Sequence, residues 1–290
     1  MSDRSAASSR LRVYKVADEL TKLGHRVSFN EVSNDTHVVV VQKRYNLDAE
    51  IAKWRSQGIR VIFDLDDMIP LPIADVDCIT VDTRYKQQKL PGSVVIPDCL
   101  DAEQSSPFKS HHEDMLRTAV WTGSPDNVYH VRACAEACRW VGVELTIITN
   151  LLNPQAKQIC DNLVQLGGVT LKQWDLATVD KLMVQHDIAV MPYVFDGAWS
   201  KEWVESKSAN KLLKSWSLGL PTIGTPILSY VEVGLDYMAT SIEEWCNALT
   251  AMESSQVRFK DAQRGSKIAG EYRADKVVNK WLEVMVDANI

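Results

Sequence analysis

Residues 37–64 have the sequence HVVVVQKRYNLDAEIAKWRSQGIRVIFD, in which two apolar runs flank a more polar stretch. The runs at 37–42 and 59–64 are almost continuously apolar, as strands that are buried on both faces of a parallel sheet usually are. The stretch between them, residues 47–57, predicts a helix that ends at a glycine, Gly58. A strand, a helix and a second strand in this order predict a parallel sheet with helices on its faces.

The same alternation of helix and strand extends in both directions. Upstream, residues 9–23 predict a helix and residues 27–29 a short strand. Downstream, we predict strands at residues 78–81, 94–96, 119–121, 144–149, 169–173, 188–191 and 222–224. Helices are predicted at residues 127–141, 154–166, 179–184 and 208–218, and the chain is predicted to be helical from residue 241 onward.

A polar segment with a proline, residues 101–113 (DAEQSSPFKSHHE), separates two such series. We therefore predict an α/β fold with two Rossmann-like, doubly wound domains that face each other across a cleft, followed by C-terminal helices. The predicted domains are residues 1–105 and 106–270, and residues 271–290 are predicted to form a last helix that packs back on the first domain. Since ligands of open α/β sheets bind at the carboxyl ends of the strands, we expect the chemistry in this cleft.

The composition of the 290 residues is that of an ordinary globular protein, with 46% hydrophobic and 24% charged residues. It excludes collagen, coiled-coil rods and a wholly disordered chain. The formal net charge of −6 argues against a protein that binds nucleic acid over its whole surface, although a local basic groove is compatible with it.

No apolar run approaches the ~20 residues of a membrane span, and the first residues lack the apolar core of a signal peptide. The six cysteines are scattered, which fits free thiols in a reducing cytosol better than a disulfide framework. Cys134 and Cys138 lack the second pair of ligands that a zinc site needs, so no metal site is predicted. We therefore predict a cytoplasmic protein without a transmembrane segment; the sequence leaves its oligomeric state open.

The segment 207–221, KSANKLLKSWSLGLP, predicts a helix with one apolar face and one cationic face. Lys207, Asn210, Lys211 and Lys214 recur at i, i+3, i+4 and i+7 on the cationic face. The three lysines repel each other there, and the helix dipole disfavours a cation at Lys207, in the first turn. A bound anion would relieve both penalties, because a helix N-terminus with lysines readily binds phosphate. The alternative is an ordinary solvated face.

Two further features could contact a nucleotide. Gly123 and Ser124 stand in the turn between a predicted strand and a predicted helix, where backbone N–H groups can approach a phosphate. Trp199 stands in a loop shortly before the lysine segment, and its indole could stack on a sugar or a base. The alternative for Trp199 is a buried anchor of that loop.

Three aspartates, Asp64, Asp66 and Asp67, stand at the end of the buried strand at residues 59–64. This position at the carboxyl edge of the first sheet predicts acceptor positioning or general-base catalysis. The alternatives are a phosphatase of the haloacid-dehalogenase type, a metal-binding Asp-x-Asp, and turn formation or helix capping by aspartate. The following residues, DMIPLP, lack the pattern that the phosphatase would require.

Five parts of the sequence resemble, in the same order, retaining glycosyltransferases of the GT-B fold, specifically the short phage and bacterial members of the family-4-like group. They are SSRLRVYKVADELTKLGHRV (8–27), VVVVQKRY (38–45) with RVIFDLDD (60–67), AVWTGSPDN (119–127), HDIAVMPY (186–193) and KSANKLLKSWSLGLPTIGTPILSY (207–230). The resemblance covers most of the chain. It implies that the second domain binds a nucleotide sugar and that the first binds the acceptor.

The implied activity is transfer of a sugar from a nucleoside-diphosphate sugar, with a UDP-sugar as the first choice, to a hydroxyl group with retention of configuration. It needs no metal and no tightly bound cofactor, because protein cations stabilise the leaving diphosphate. For this activity we expect Lys207, Lys211 and Asp66 to be catalytic. The same lysines with Gly123, Ser124, Asn210 and Trp199 would bind the donor, and Ser9, Arg10, Asp64 and Asp67 would lie on the acceptor side.

The sequence also departs from the family pattern. Many members carry two glutamates eight residues apart, which would fall near Ser206 and at Lys214, and Glu205 is one position out of register. This departure leaves a second interpretation open, in which the chain is a degenerate domain that binds a nucleotide sugar or a partner protein without catalysis.

The acceptor has two candidates, a glycan or lipid-linked saccharide and a hydroxymethylated base in phage DNA. For DNA, the basic residues near the N-terminus could contact phosphates. They are Arg4, Arg10, Arg12, Lys15 and Lys22.

Overall fold

The structure is a computed structural model, and it describes residue 4 and residues 6–42, 46–67, 75–102, 106–111, 115–195 and 200–286. The contacts group the chain into two compact units. Unit 1 consists of Met1–Leu100, Glu205–Ser208 and Glu271–Ile290, and unit 2 consists of Asp101–Val204 and Ala209–Gly270.

Helices and strands alternate in the first hundred residues. In chain order they are α1 (Ala7–Ser9), a π-helical turn (Arg10–Tyr14), α2 (Lys15–Lys22), β1 (Val38–Gln42), α3 (Asp48–Ser56), β2 (Arg60–Leu65), β3 (Cys78–Val81), α4 (Arg84–Lys89) and β4 (Val94–Val95). The strands pair in parallel in the order β1-β2-β3-β4. Strand β2 is buried from Val61 to Leu65, as its apolar sequence predicts.

The strand predicted at residues 27–29 is absent from the described structure, and that prediction is wrong. Asn30 adopts a left-handed backbone angle, with φ of 57°, and the Ser28 hydroxyl donates a hydrogen bond to the Glu31 carbonyl at 3.0 Å. The chain therefore turns here instead of extending along the sheet. Phe29 stays 40% exposed and packs its ring 5.2 Å from that of Tyr14.

The second half of the chain continues the alternation. In chain order its elements are β5 (Thr118–Thr122), a 3₁₀ helix (Pro125–Val131), α5 (Arg132–Val141), β6 (Glu144–Thr149), α6 (Pro154–Val164), β7 (Val169–Gln173), α7 (Val179–Met183), β8 (Ile188–Met191), α8 (Lys201–Glu205), α9 (Asn210–Ser217), β9 (Thr222–Gly224), α10 (Leu228–Glu232), β10 (Tyr237–Met238), α11 (Ile242–Ala251) and α12 (Ser255–Ala269). The strands form a parallel sheet in the order β10-β9-β8-β5-β6-β7.

The core of unit 2 lies between this sheet and its helices. It includes the central strand β5 and two tryptophans that are at most 2% exposed, Trp121 and Trp245. All six cysteines are free thiols, and five of them are buried. Over the described residues, no helix has both the length and the apolar composition that crossing a membrane requires.

A last helix, α13 (Ala274–Val286), belongs to unit 1. Its Trp281 is 2% exposed and packs in one cluster with Val16 and Leu20 of α2 and Ile62 of β2. The Arg60 side chain donates a hydrogen bond to the carbonyl of Val284 at 2.9 Å. Unit 1 is thus assembled from both ends of the chain.

Candidate functional site

The strand order of unit 2 reverses between β5 and β8. Strands β6 and β7 lie on one side of β5, and β8, β9 and β10 lie on the other. The loops that leave two such strands diverge to opposite faces of the sheet, which opens a crevice at their carboxyl ends where ligands of open α/β sheets bind. Gly123 and Ser124 follow β5 directly, and Tyr193 follows β8. The topology therefore places the candidate site at these two strand ends.

The Lys211 side chain reaches the carboxyl end of β5. Its Nζ lies 5.5 Å from the ring centroid of Trp121 and 2.9 Å from the position that a Cβ on Gly123 would occupy. Two ring atoms of Trp121, Cζ2 and Cη2, lie 2.6 and 2.7 Å from the same position. Because Gly123 has no side chain, an ammonium group and an indole both fit against the backbone at this strand end.

The loop after β5 is fixed by hydrogen bonds to the neighbouring strand. The Gly123 N–H donates to the Ile148 carbonyl at 3.2 Å, and the Gly123 carbonyl accepts from the Thr149 hydroxyl at 2.8 Å. The expected phosphate contact through the Gly123 N–H is therefore corrected, since that donor is already used. Ser124 is exposed, and its Oγ accepts a hydrogen bond of 2.7 Å from the Asn127 amide.

Helix α9 begins at Asn210, later than predicted, so Lys207 precedes the helix and belongs to unit 1. The prediction that Lys214 shares one cationic helical face with Lys207 and Lys211 is wrong as well. This side chain is buried, and its Nζ lies 2.8 Å from Asp180 and 3.6 Å from Asp101. Nearby carboxylates therefore compensate the charge of Lys214. The lysine of α9 that reaches the end of β5 is Lys211.

His130 fixes the loop after β8, although no sequence pattern indicated this role. The side chain is 1% exposed, and its Nδ1 accepts a hydrogen bond of 3.1 Å from the Val194 N–H. Its ring packs 5.0 Å from the ring of Tyr193 and 6.1 Å from that of Trp203. A lone histidine in a helical pattern has no spacing partner that could reveal this contact. Trp199, predicted in the same loop, lies outside the described residues.

Asp64 lies in the interior of unit 1, where it is 1% exposed. Arg12 donates to both carboxylate oxygens, at 2.9 and 2.6 Å. The Thr80 hydroxyl adds a bond of 2.8 Å and the Gln42 amide one of 3.2 Å. This arrangement corrects the predicted acceptor-facing position of Asp64, because these donors hold the carboxylate inside the unit.

The other residues predicted on the acceptor side differ in exposure. Ser9 is 3% exposed. Arg10 is partly buried and donates a hydrogen bond of 3.0 Å to the Arg4 carbonyl. Asp66, predicted to be catalytic, is partly buried, and its backbone carbonyl accepts a hydrogen bond from Lys86. Asp67 is exposed.

The buried carboxylate of Asp82, also in unit 1, has a strongly shifted pKa. Burial raises the pKa of Asp82 to about 7, against the opposing positive charges of Lys86 and Arg12. An acid with a higher pKa in the folded chain stabilises the fold below its unfolded pKa of 3.8. This contribution is lost as the pH rises through the folded value.

Replacing Asp82 with asparagine should remove this pH dependence. From about pH 4 to about pH 7, we expect the melting temperature of the wild-type protein to fall relative to that of the Asp82→Asn variant. Above about pH 8 the difference should be constant. Thermal unfolding of both proteins at intervals of one pH unit measures this, and a difference that stays constant from pH 4 to 8 would contradict the assignment.

In the parts of the chain that the structure describes, no group of three or more His, Cys, Asp or Glu side chains is placed so that it could hold a metal ion.

Comparison with solved structures finds similar folds at low sequence identity. A glycosyltransferase from Rickettsia africae ESF-5 gives a TM-score of 0.69 at 11% identity, over 93% of this chain and 92% of that one. A sucrose-phosphate synthase from Thermosynechococcus elongatus gives 0.62 at 11% identity, over 98% and 79%. Anabaena HepE, in complex with UDP and glucose, gives 0.62 at 12% identity, over 98% and 83%. No family model and no curated protein matches the sequence.

These similarities establish the fold. The chain has two α/β units with parallel sheets, as glycosyltransferases of the GT-B fold have, and the predicted fold class is confirmed.

Proposed function

We propose that this protein is a glycosyltransferase whose unit 2 binds a nucleoside-diphosphate sugar at the carboxyl ends of β5 and β8. The observation that carries the proposal is the Lys211 ammonium held against Gly123 at the point where the strand order reverses. A cation at this edge of the sheet fits a diphosphate. The similarity to glycosyltransferases, one of them in complex with UDP and glucose, supports the same ligand class.

The proposed chemistry uses Lys211 as an electrostatic catalyst. Transfer breaks the bond between the anomeric carbon of the sugar and a diphosphate oxygen, and that oxygen gains negative charge in the transition state. A cation that is already in place stabilises this charge without rearranging during the reaction. The acceptor hydroxyl oxygen forms the new bond to the anomeric carbon, with retention of configuration, and loses its proton. Lys211 and the N-terminal turn of α9 would supply the charge stabilisation without a metal.

Further donor contacts are proposed from the chain around this centre. Asn210 is the first residue of α9 and Ser124 is the exposed residue after Gly123, so both are candidates for hydrogen bonds to the donor. Lys207, three residues before α9 in the chain, would add a second positive charge. Trp199 remains a proposed stacking partner for the sugar or the base.

For the acceptor, we propose a saccharide hydroxyl rather than a base in DNA. DNA binding would draw on the basic residues near the N-terminus. Arg12 is buried in its bonds to Asp64, and the side chain of Arg10 donates to the Arg4 carbonyl. Arg12 is therefore not available to contact a phosphate. Asp67 is exposed and is the proposed acceptor contact in unit 1, with Asp66 beside it as the proposed base.

A thermal-shift panel with UDP, GDP, ADP, TDP and CMP tests the donor class. At about 100 times its Kd, a ligand stabilises the folded protein by roughly 2.7 kcal/mol. At about 2–4 °C per kcal/mol, this corresponds to roughly 5–10 °C. We expect a selective shift with one nucleoside diphosphate, UDP first. A flat panel at millimolar ligand would overturn the proposal. Binding of a nucleotide sugar without transfer to any saccharide would instead identify a binding module.

A methyl group on Gly123 is expected to disturb the donor site. In the Gly123→Ala variant the new Cβ would lie under 3.0 Å from both the Trp121 ring and the Lys211 Nζ, so one of them must move. We expect UDP affinity to fall about tenfold or more, equivalent to about 1.4 kcal/mol. Gly270→Ala is a control, because a Cβ there meets nothing within 4 Å and the backbone angle, with φ of −59°, suits any residue. Equal UDP affinities of the Gly123→Ala variant and the wild type, measured by calorimetry, would count against the site.

A further inference from the structure

Trp121 packs at the base of the candidate site. It is part of β5 and is 2% exposed, and its ring lies under the ammonium of Lys211, which comes from α9. The absence of a side chain at Gly123 makes room for both groups. Two parts of the chain that are far apart in sequence therefore meet at one point: the end of β5 with the first loop residue, and a residue of α9.

We propose that Trp121 is a positioning residue, which holds the Lys211 ammonium over Gly123 in the orientation that receives the diphosphate. This inference rests on the proposed function of the site. A lysine side chain has four flexible carbons and loses considerable rotamer freedom when its ammonium is held in one place. The face of an indole attracts a cation more strongly than any other aromatic side chain does. Contact with Trp121 would therefore place the ammonium before the ligand arrives.

An aromatic face suits this task for an electrostatic reason. The attraction comes from the quadrupole of the ring, which carries no net charge. A carboxylate in the same place would also attract the ammonium, but its negative charge would repel an incoming diphosphate. An indole can thus position a lysine without weakening the attraction of the site for an anion.

A second indole–cation contact in unit 2 has a different setting. The Arg264 guanidinium lies 5.2 Å from the Trp216 ring centroid. It also donates to Asp261 at 2.8 Å and lies 3.1 Å from Asp236, and so belongs to the packing of α12. Carboxylates hold that cation, as expected for a structural contact.

The proposal is tested by a double-mutant cycle on UDP binding. Calorimetric Kd values are measured for the wild type, Trp121→Leu, Lys211→Ala and the double variant. We expect Trp121→Leu to weaken binding about tenfold in the wild-type background and to have no further effect in the Lys211→Ala background. Equal weakening in both backgrounds would overturn the proposal, because Trp121 would then act through packing alone.

Two further variants separate positioning from folding. Trp121→Phe keeps an aromatic face and replaces Trp121→Leu in the experiment if the leucine variant does not fold. We expect it to lower UDP affinity by an intermediate amount in the wild-type background and to leave UDP affinity unchanged in the Lys211→Ala background. Trp245→Phe replaces a tryptophan of the same unit that is 1% exposed, and it should leave UDP affinity unchanged. An equal loss of affinity in Trp245→Phe and Trp121→Phe would overturn the proposal.

A measurement without ligand distinguishes this proposal from the proposed function. The ring current of Trp121 should shift the NMR signals of the Lys211 Cε protons upfield, and Trp121→Leu should abolish this shift. If the wild-type protein binds no nucleoside diphosphate, the proposed function fails even if the shift is present. If the shift is absent from the wild-type spectrum, the positioning by Trp121 fails even if UDP binds.

Discussion

Replacing Lys211 with alanine is expected to lower the rate of sugar transfer by about 10²–10³-fold, the usual effect of removing one preorganised group that stabilises transition-state charge. The ammonium lies at the end of β5, against Gly123, where the diphosphate is proposed to leave. Its loss should affect kcat more than KM, because the charge on the leaving oxygen is greater in the transition state than in the bound donor. Steady-state kinetics with the donor identified by the thermal-shift panel measure both constants.

The control for this experiment is Lys181→Ala, which removes an exposed lysine of α7 in the same unit. Its kinetics should match those of the wild type. Lys211→Arg keeps the charge but changes its shape, so an intermediate rate is expected. If Lys211→Ala transfers sugar at the wild-type rate, Lys211 is not the electrostatic catalyst and the site must be sought elsewhere.

Breaking the Arg12–Asp64 pair is expected to be the most destabilising single change in unit 1. Both side chains are about 1% exposed, and their oxygen and nitrogen atoms lie 2.6 Å apart. Arg12→Met leaves a buried carboxylate without its cation, which typically costs about 3–5 kcal/mol. The corresponding decrease in melting temperature is roughly 6–20 °C. Thermal unfolding followed by circular dichroism measures it.

The double variant Arg12→Met, Asp64→Leu supplies the comparison. Both charges of the pair are then replaced by apolar groups, so Asp64 is no longer a buried carboxylate without its cation, and part of the lost stability should return. The return should be incomplete, because the buried Asp98, which lies 3.3 Å from Arg12, still loses this cation. A double variant as unstable as Arg12→Met would show that packing, and not the unpaired carboxylate, causes the loss. A melting temperature of Arg12→Met within about 2 °C of the wild type would contradict the importance of the pair altogether.

The buried strands were the best predicted part of the fold. The strand bounds at residues 78–81, 144–149, 188–191 and 222–224 agree with the structure, and so do those of the edge strand β7 at residues 169–173, most of which is not buried. Central strands of a parallel sheet are buried on both faces, so their sequences are short apolar runs with clear ends. Helix α4 was missed because its sequence, RYKQQK, has no apolar stripe, and it depends on Thr83, whose hydroxyl accepts from the Lys86 N–H at the N-terminus of the helix.

The candidate site was predicted only in part, because its residues meet through the strand order. Gly123 and Lys211 are 88 positions apart in the sequence. Both were singled out, but no pattern indicated that the Lys211 ammonium would lie against Gly123 and the Trp121 ring. For Asp64 the error was the opposite one, because a residue of a buried ion pair was predicted to belong to the site. A carboxylate at the end of a strand has the same sequence signature in an active site and in a buried ion pair, and the partner that decides, Arg12, stands 52 positions earlier.

Unit 1 is built from segments at both ends of the chain, and this has a consequence for its folding during synthesis on the ribosome. Unit 2 is complete once residue 270 has emerged, whereas the core around Ile62 still lacks Trp281. About 170 residues separate the end of the first segment, Leu100, from Glu271, where the chain rejoins unit 1 for the last time. At roughly 5–20 residues per second, the nascent N-terminal sheet waits on the order of 10–30 s for its last helix. During this interval the apolar surface of the sheet is exposed to binding by chaperones. The unit that is synthesised first is thus the last to be completed.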